Sequence, residues 1–256
     1  MVVAAGAAAG LNALLSSVVP QSPNCALGSG DTAVEFDPEQ AANAATVAAI
    51  AKRRGLPNHA VTIALATALQ ESKLFNVDYG DRDSLGIFQQ RPSQGWGTPA
   101  QLMDPAYAAN AFYSHLEKLP TWRTMPVAEA AQLVQHSADG SAYAQWEERA
   151  RALARALTGE VPAGLTCEWS DRREPRQAAL AAAASAQIGA GWTSGGTDAS
   201  RDWAVAEWLV AQSYKYGVVA VAVRGQRWTA KSGRWKPDAH AGAAPTYLLA
   251  KPATPH

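Results

Sequence analysis

The chain has 256 residues, 48% of them hydrophobic, which is long enough for one large domain or two ordinary ones and excludes wholesale disorder. Lys+Arg and Asp+Glu each total 22, so the formal net charge is zero and there is no electrostatic reason to expect nucleic acid as a partner. Neither the two cysteines, Cys25 and Cys167, nor the five scattered histidines, His59, His115, His136, His240 and His256, have metal-ligand spacing, so no metal or cofactor is expected.

The first 30 residues carry no charge, and residues 2–19 are apolar apart from Asn12, Ser16 and Ser17. The stretch has the apolar core of a secretory signal without its basic flank, and its length also suits a single membrane anchor or an Ala/Gly-rich tail. Export is the preferred reading, to the cell envelope or the exterior. In an oxidising compartment Cys25 and Cys167 then read as a disulfide. Residues 20–37, with Pro20, Pro23, Gly28 and Gly30, have the composition of a linker, so 1–37 is expected to be signal or anchor plus linker.

A helix should begin at Pro38 with Asp37 as N-cap and end before Gly55 and Pro57. Asn58 is expected to cap the next, from His59 to about Ser72, with Val61, Leu65, Ala68 and Leu69 inward. Residues 75–98 read as irregular, and helices resume at 104–118, 126–136 and 140–158. Period-2 alternation is absent before residue 160, so residues 38–158 are expected to form a mainly helical domain with a long loop in its middle. Residues 158–176 read as a second boundary. Beyond it, 175–256 has the texture of a small α/β module: helices near 175–188 and 199–216, a strand at 217–224, a turn at Gly225-Gln226 into a partner at 227–230, and a last strand ending at Leu249. Trp203, Trp208, Trp228 and Trp235 supply that module either with a core or with a wall-binding surface, the core reading being preferred. The single apolar span excludes a polytopic transporter.

Chemistry concentrates in two runs. Residues 69–76 are Leu-Gln-Glu-Ser-Lys-Leu-Phe-Asn, and residues 84–92 are Ser-Leu-Gly-Ile-Phe-Gln-Gln-Arg-Pro. An apolar helix thus ends on Glu71, and Gln89 follows eighteen positions later (89 − 71). Cleaving a glycosidic bond at neutral pH requires a proton for the leaving oxygen, and a carboxyl group in apolar surroundings can keep one. The structural alternative is a solvated carboxylate in a last helical turn. Sugar faces stack on aromatic rings, and Trp96, between Gly95 and Gly97, either stacks on a sugar or packs the loop. Tyr107, Phe112 and Tyr113 lie at helical spacing and read as core.

These runs resemble the lytic transglycosylase and goose-type lysozyme family, whose signature is Glu-Ser, a short irregular stretch, then Ser-x-Gly-apolar-apolar-Gln. The resemblance covers about residues 38–158 and implies a mainly α, lysozyme-like domain followed by the small α/β module. It makes Glu71 the catalytic acid, with Ser72, Ser84, Gly86 and Gln89 around the substrate. Gly86 matches the glycine that lets backbone approach the sugar. The implied partner is the glycan strand of peptidoglycan, cut by one Glu acting as acid and then base, either as a lyase or, with a second carboxylate from Asp78, Asp81 or Asp83, as a muramidase. The three aspartates otherwise read as a solvated turn.

The family's downstream Ala-Tyr-Asn-x-Gly segment is missing. Residues 134–140 read Val-Gln-His-Ser-Ala-Asp-Gly, with Tyr143 further on. The partner of Glu71 is therefore open among Gln135, Ser137 and Tyr143, and the alternative is a non-catalytic envelope-binding protein on the same scaffold. A lone histidine at the position of His136 reads as a surface group. A monomer is expected. A Cys25–Cys167 bridge would join the linkers on either side of the helical domain and, by loop entropy, stabilise it by about 4 to 5 kcal/mol.

Overall fold

The computed structural model describes residues 22–28, 30–137 and 141–252; the apolar stretch 2–19 and the segment 138–140 lie outside the described residues. Helix α1, Pro38–Arg53, starts where the sequence predicts. Asp37 Oδ1 accepts the Glu39 N–H at 2.7 Å, and Gln40 Oε1 returns the favour to the Asp37 N–H at 2.8 Å, so two otherwise unpaired donors are satisfied. Six of its eleven buried residues are alanine, which lets neighbouring helices approach its backbone closely.

Helix α2, Asn58–Ser72, is buried at every residue from 60 to 69. Its cap differs from expectation. Asn58 is the first helical residue and sends its amide to Glu160 Oε2 at 3.0 Å, leaving Pro57 at the N-cap without a side-chain bond. The short α3 (Pro99–Leu102) packs on α4 (Pro105–Leu116), and α4 and α5 (Val127–Gln135) pack on α2. Asp104 caps α4 through the Ala106 N–H at 2.9 Å, as predicted. The single helix expected over 140–158 is instead two, α6 (Ser141–Ala144) and α7 (Glu147–Leu157). They break at Gln145 and Trp146 because the Trp146 indole turns to donate to Gln70 Oε1 at 2.7 Å.

Neither expected linker is unstructured throughout. Strands β1 (Asn24–Leu27) and β2 (Val34–Phe36) come from the first, and β3 (Leu165–Glu168) from the second. They form one antiparallel sheet in the order β2-β1-β3. The strands are only three or four residues long, too short for alternation to be visible. Cys25 lies opposite Cys167 in the β1–β3 register and the two form a disulfide with a Cα–Cα separation of 3.9 Å. The bridge therefore staples two paired strands and closes a loop with a sequence separation of 142. Such a bond fits an oxidising compartment.

The C-terminal region contributes α8 (Gln177–Gln187), α9 (Ala199–Ala211) and α10 (Ser213–Tyr216). The predicted 199–216 helix breaks at Gln212, whose amide reaches Ala42 O at 3.0 Å and Thr46 Oγ1 at 3.2 Å in α1. Strands β4 (Val218–Val223), β5 (Gln226–Thr229), β6 (Arg234–Pro237) and β7 (Thr246–Leu249) make an antiparallel sheet ordered β6-β5-β4-β7. The hairpin turn is Arg224-Gly225, both at positive φ, one position earlier than expected, and β6 was not anticipated. Trp203, Trp208 and Trp228 are buried, while Trp235 is half-buried and edge-on to Trp203. They are core residues. The buried residues of the helical and C-terminal regions form one continuous hydrophobic cluster.

Glu207 on α9 is fully buried and accepts the Gly164 N–H at 2.8 Å and the Leu165 N–H at 3.2 Å, which fixes the start of β3. Burial outweighs these two donors and raises its pKa well above the usual carboxylate value of 4.5. Below that value the group is protonated in both folded and unfolded chains, and above it only the unfolded chain ionises readily. Stability should therefore fall as pH rises from about 4.5 toward the folded-state pKa, and the fall should be smaller in Glu207→Gln. Urea unfolding at stepped pH checks this; parallel curves for the two proteins would refute it.

Candidate functional site

Glu71 occupies the last turn of α2, and the way this helix ends sets its position. Lys73 and Leu74 both take left-handed conformations, at φ 57° and 67°. The Leu74 N–H caps Ala68 O at 3.1 Å, while side chains of α1 catch the turned carbonyls: Gln40 donates to Lys73 O at 2.7 Å and Asn43 to Leu74 O at 2.8 Å. The chain thus leaves α2 sharply. Glu71 is left half-exposed at the rim of a groove.

The second wall is a small hairpin. Leu85 and Gln90 exchange backbone hydrogen bonds at 3.0 Å in both directions, leaving Gly86-Ile87-Phe88-Gln89 as the tip. Ser72 Oγ donates to Ile87 O at 2.8 Å and Gln135 Nε2 to Phe88 O at 2.7 Å, so the tip is clamped from α2 on one side and α5 on the other. Below it the buried Phe88 ring stacks on Phe112 at 4.7 Å. Gln89, at φ 49°, is turned into the groove, and its amide donates to Gly86 O at 3.2 Å and Tyr79 O at 3.3 Å. A Cβ on Gly80 would lie 1.9 Å from Gln89 Oε1, so that glycine makes room for the glutamine.

The partner of Glu71 is Tyr143. Tyr143 sits within α6 with its ring buried, and its Oη donates to Glu71 Oε1 at 2.7 Å. Burial, then the bond to Glu71, raises the phenol pKa well above its ordinary value, while a hydrogen bond with Ser137 works against the shift. Tyr143 therefore stays a donor across the physiological range and holds one carboxyl oxygen in place.

Seven of the nine sequence-predicted substrate-site residues line this groove: Glu71, Ser84, Gln89, Trp96, Gln135, Ser137 and Tyr143. Ser72 does not; its hydroxyl is spent on the hairpin tip. Gly86 does not either. Its φ is 74° and a Cβ there would meet Leu102 O at 2.4 Å, so in this fold the close backbone neighbour that demands glycine is α3. Trp96 is 7% exposed, packs edge-on against His115 at 3.9 Å and accepts the Tyr107 hydroxyl at its carbonyl, so it packs the loop and lines the groove together. Burial, with Lys118 and His136 nearby, lowers the His115 pKa. His136 itself is exposed at the end of α5.

Some site residues were missed. Gln90 and Gln94 line the groove, and so does Arg91, which joins Asp83 at 2.7 Å. Asp83 also accepts the Ser93 N–H at 2.8 Å, and this bond first, then Arg91, holds its carboxyl well below the usual range. Asp83 is thus a loop clasp, whereas Asp81 lines the groove and Asp78 does not. The opposite charges of Asp83 and Arg91 across a short loop were the available signal. Among the described residues no group of three or more His, Cys, Asp or Glu could hold a metal ion, and no helix is long and apolar enough to cross a membrane. Neither a scan against protein-family models nor a search of curated proteins finds a match.

Gly86→Ala combines a strained φ with a clash against Leu102, and should destabilise the fold by at least about 2 kcal/mol. Guanidinium unfolding checks this; a loss below about 0.5 kcal/mol, the scale of an ordinary surface change, would refute it.

Proposed function

We propose that this protein cleaves the glycan strands of peptidoglycan, with Glu71 as acid and base, on a lysozyme-like helical domain spanning residues 38–158. The observation that carries the reading is the meeting of Glu71, Tyr143 and Gln89 in one polar groove, with Glu71 anchored by Tyr143 at 2.7 Å. The two segments that resemble the transglycosylase signature, joined by residues 77–83, both contribute side chains to this groove. In this reading Tyr143 takes the role that the family's Tyr-Asn segment plays, because it is hydrogen-bonded to Glu71.

In this mechanism Glu71 protonates the glycosidic oxygen between N-acetylmuramic acid and N-acetylglucosamine. The carboxylate so formed takes the proton of the attacking hydroxyl, which is the muramyl 6-hydroxyl in a lyase and water in a muramidase. Tyr143 keeps the carboxyl oriented through both transfers, and Gln89 with Gln135 offers amides to sugar hydroxyls. Asp81 is the groove carboxylate a muramidase would use across from Glu71. The disulfide supports an exported enzyme acting on the envelope.

Glu71→Gln should lower turnover of purified peptidoglycan by about 10² to 10⁴, the usual share of a general acid. Tyr143→Phe, losing the hydrogen bond that orients Glu71, should lower it by about tenfold to a hundredfold with the fold intact. Mass spectrometry of the muropeptides reads both effects, with anhydromuramyl ends marking a lyase and reducing ends a hydrolase. Muropeptides left unchanged by the wild type would instead indicate the non-catalytic envelope-binding alternative.

A further inference from the structure

A second cavity, about 270 Å³, opens between α1 and α9 and shares no lining residue with the Glu71 groove. Its floor is apolar, built from Ala49, Leu157, Ile188, Val205 and Trp208. Lys52, Arg53 and Arg201 also line it, against one carboxylate, Asp198. Asp198 is committed to capping α9, accepting the Ser200 N–H at 2.9 Å and the Arg201 N–H at 3.3 Å.

Arg91, Arg224 and Arg227 each sit against an aspartate, yet among the described residues Lys52, Arg53 and Arg201 form no ion pair. The two guanidinium groups are nevertheless held in place by neutral carbonyls: Arg53 donates to Ala186 O, and Arg201 to Ser194 O at 2.9 Å and Gly191 O at 3.2 Å. Two anchored guanidinium groups and the exposed Lys52, in charge excess over Asp198 beside an apolar floor, complement a ligand with an anionic head and an aliphatic body. Three cations against one carboxylate leave a surplus of two positive charges. A phosphomonoester, with about −1.5 to −2 at neutral pH, matches that surplus better than a carboxylate does.

We propose that this cavity binds an aliphatic phosphomonoester, with its chain on the Ala49–Ile188–Val205 floor and its phosphate among Lys52, Arg53 and Arg201. The site is independent of glycan cleavage and stands whether or not Glu71 is catalytic.

The test is calorimetric titration of the full chain with dodecyl phosphate below its micellar concentration. Saturable one-to-one binding is expected, with dodecanoate roughly tenfold weaker and neutral dodecyl maltoside not saturating. The double variant Lys52→Gln, Arg201→Gln should bind dodecyl phosphate at least about tenfold more weakly while melting at the wild-type temperature. Glu71→Gln should bind it as the wild type does. Absence of saturable binding, equal affinity for dodecanoate or the maltoside, an unaffected double variant, or loss of binding in Glu71→Gln would each overturn the proposal. Should the double variant melt early, Lys52→Gln alone, at an exposed side chain, supplies the same comparison.

Discussion

The structure depends on one constraint: α2 is surrounded by protein along ten consecutive residues, so its polar side chains can reach solvent only at its ends. Sealing α2 inside the bundle leaves the last turn as the place where a carboxylate can meet solvent. The left-handed pair Lys73 and Leu74 then diverts the chain, and Gln40 and Asn43 of α1 hold the diverted carbonyls. Glu71 is therefore positioned by backbone geometry and by hydrogen bonds one helix away.

The groove around it is assembled from several tight anchors. Ser72 and Gln135 each spend a donor on a carbonyl of the hairpin tip, and the Phe88–Phe112 stack supports the tip from beneath. The Asp83–Arg91–Ser93 clasp closes the loop that carries it. With backbone and side chains fixed in this way, Tyr143 holds Glu71 and Gln89 lines the same groove at little entropic cost.

Helix α1 serves both halves of the chain. Its start steadies the exit from α2, while Ala42 and Thr46 accept Gln212 from the C-terminal region. Thr46 also donates to Gln187 Oε1, which the Trp208 indole shares at 2.8 Å. Together with the disulfide-stapled sheet and Glu207, these bonds bury the seam. The region that reads as an appended module is thereby built onto the back of the helix that braces the site.

Helix positions, the Asp37 and Asp104 caps, the inward tryptophans and seven residues of the groove were legible in the chain, because 3.6-residue periodicity, capping chemistry and the Glu71–Gln89 motif are local patterns. Strands β1, β2 and β3 were hidden, since three or four residues carry too little alternation to register and β3, the second partner of β1, lies far along the chain. The breaks at Trp146 and Gln212 were hidden for a related reason: each is caused by a side chain bonding to a distant helix, and helix propensity cannot report that. The hydrogen bond from Tyr143 to Glu71 belongs to the same class. The sequence by itself determined which residues could do chemistry. Tertiary structure decided which of them meet, because hydrogen bonds between remote segments form only once the buried helices have set the distances.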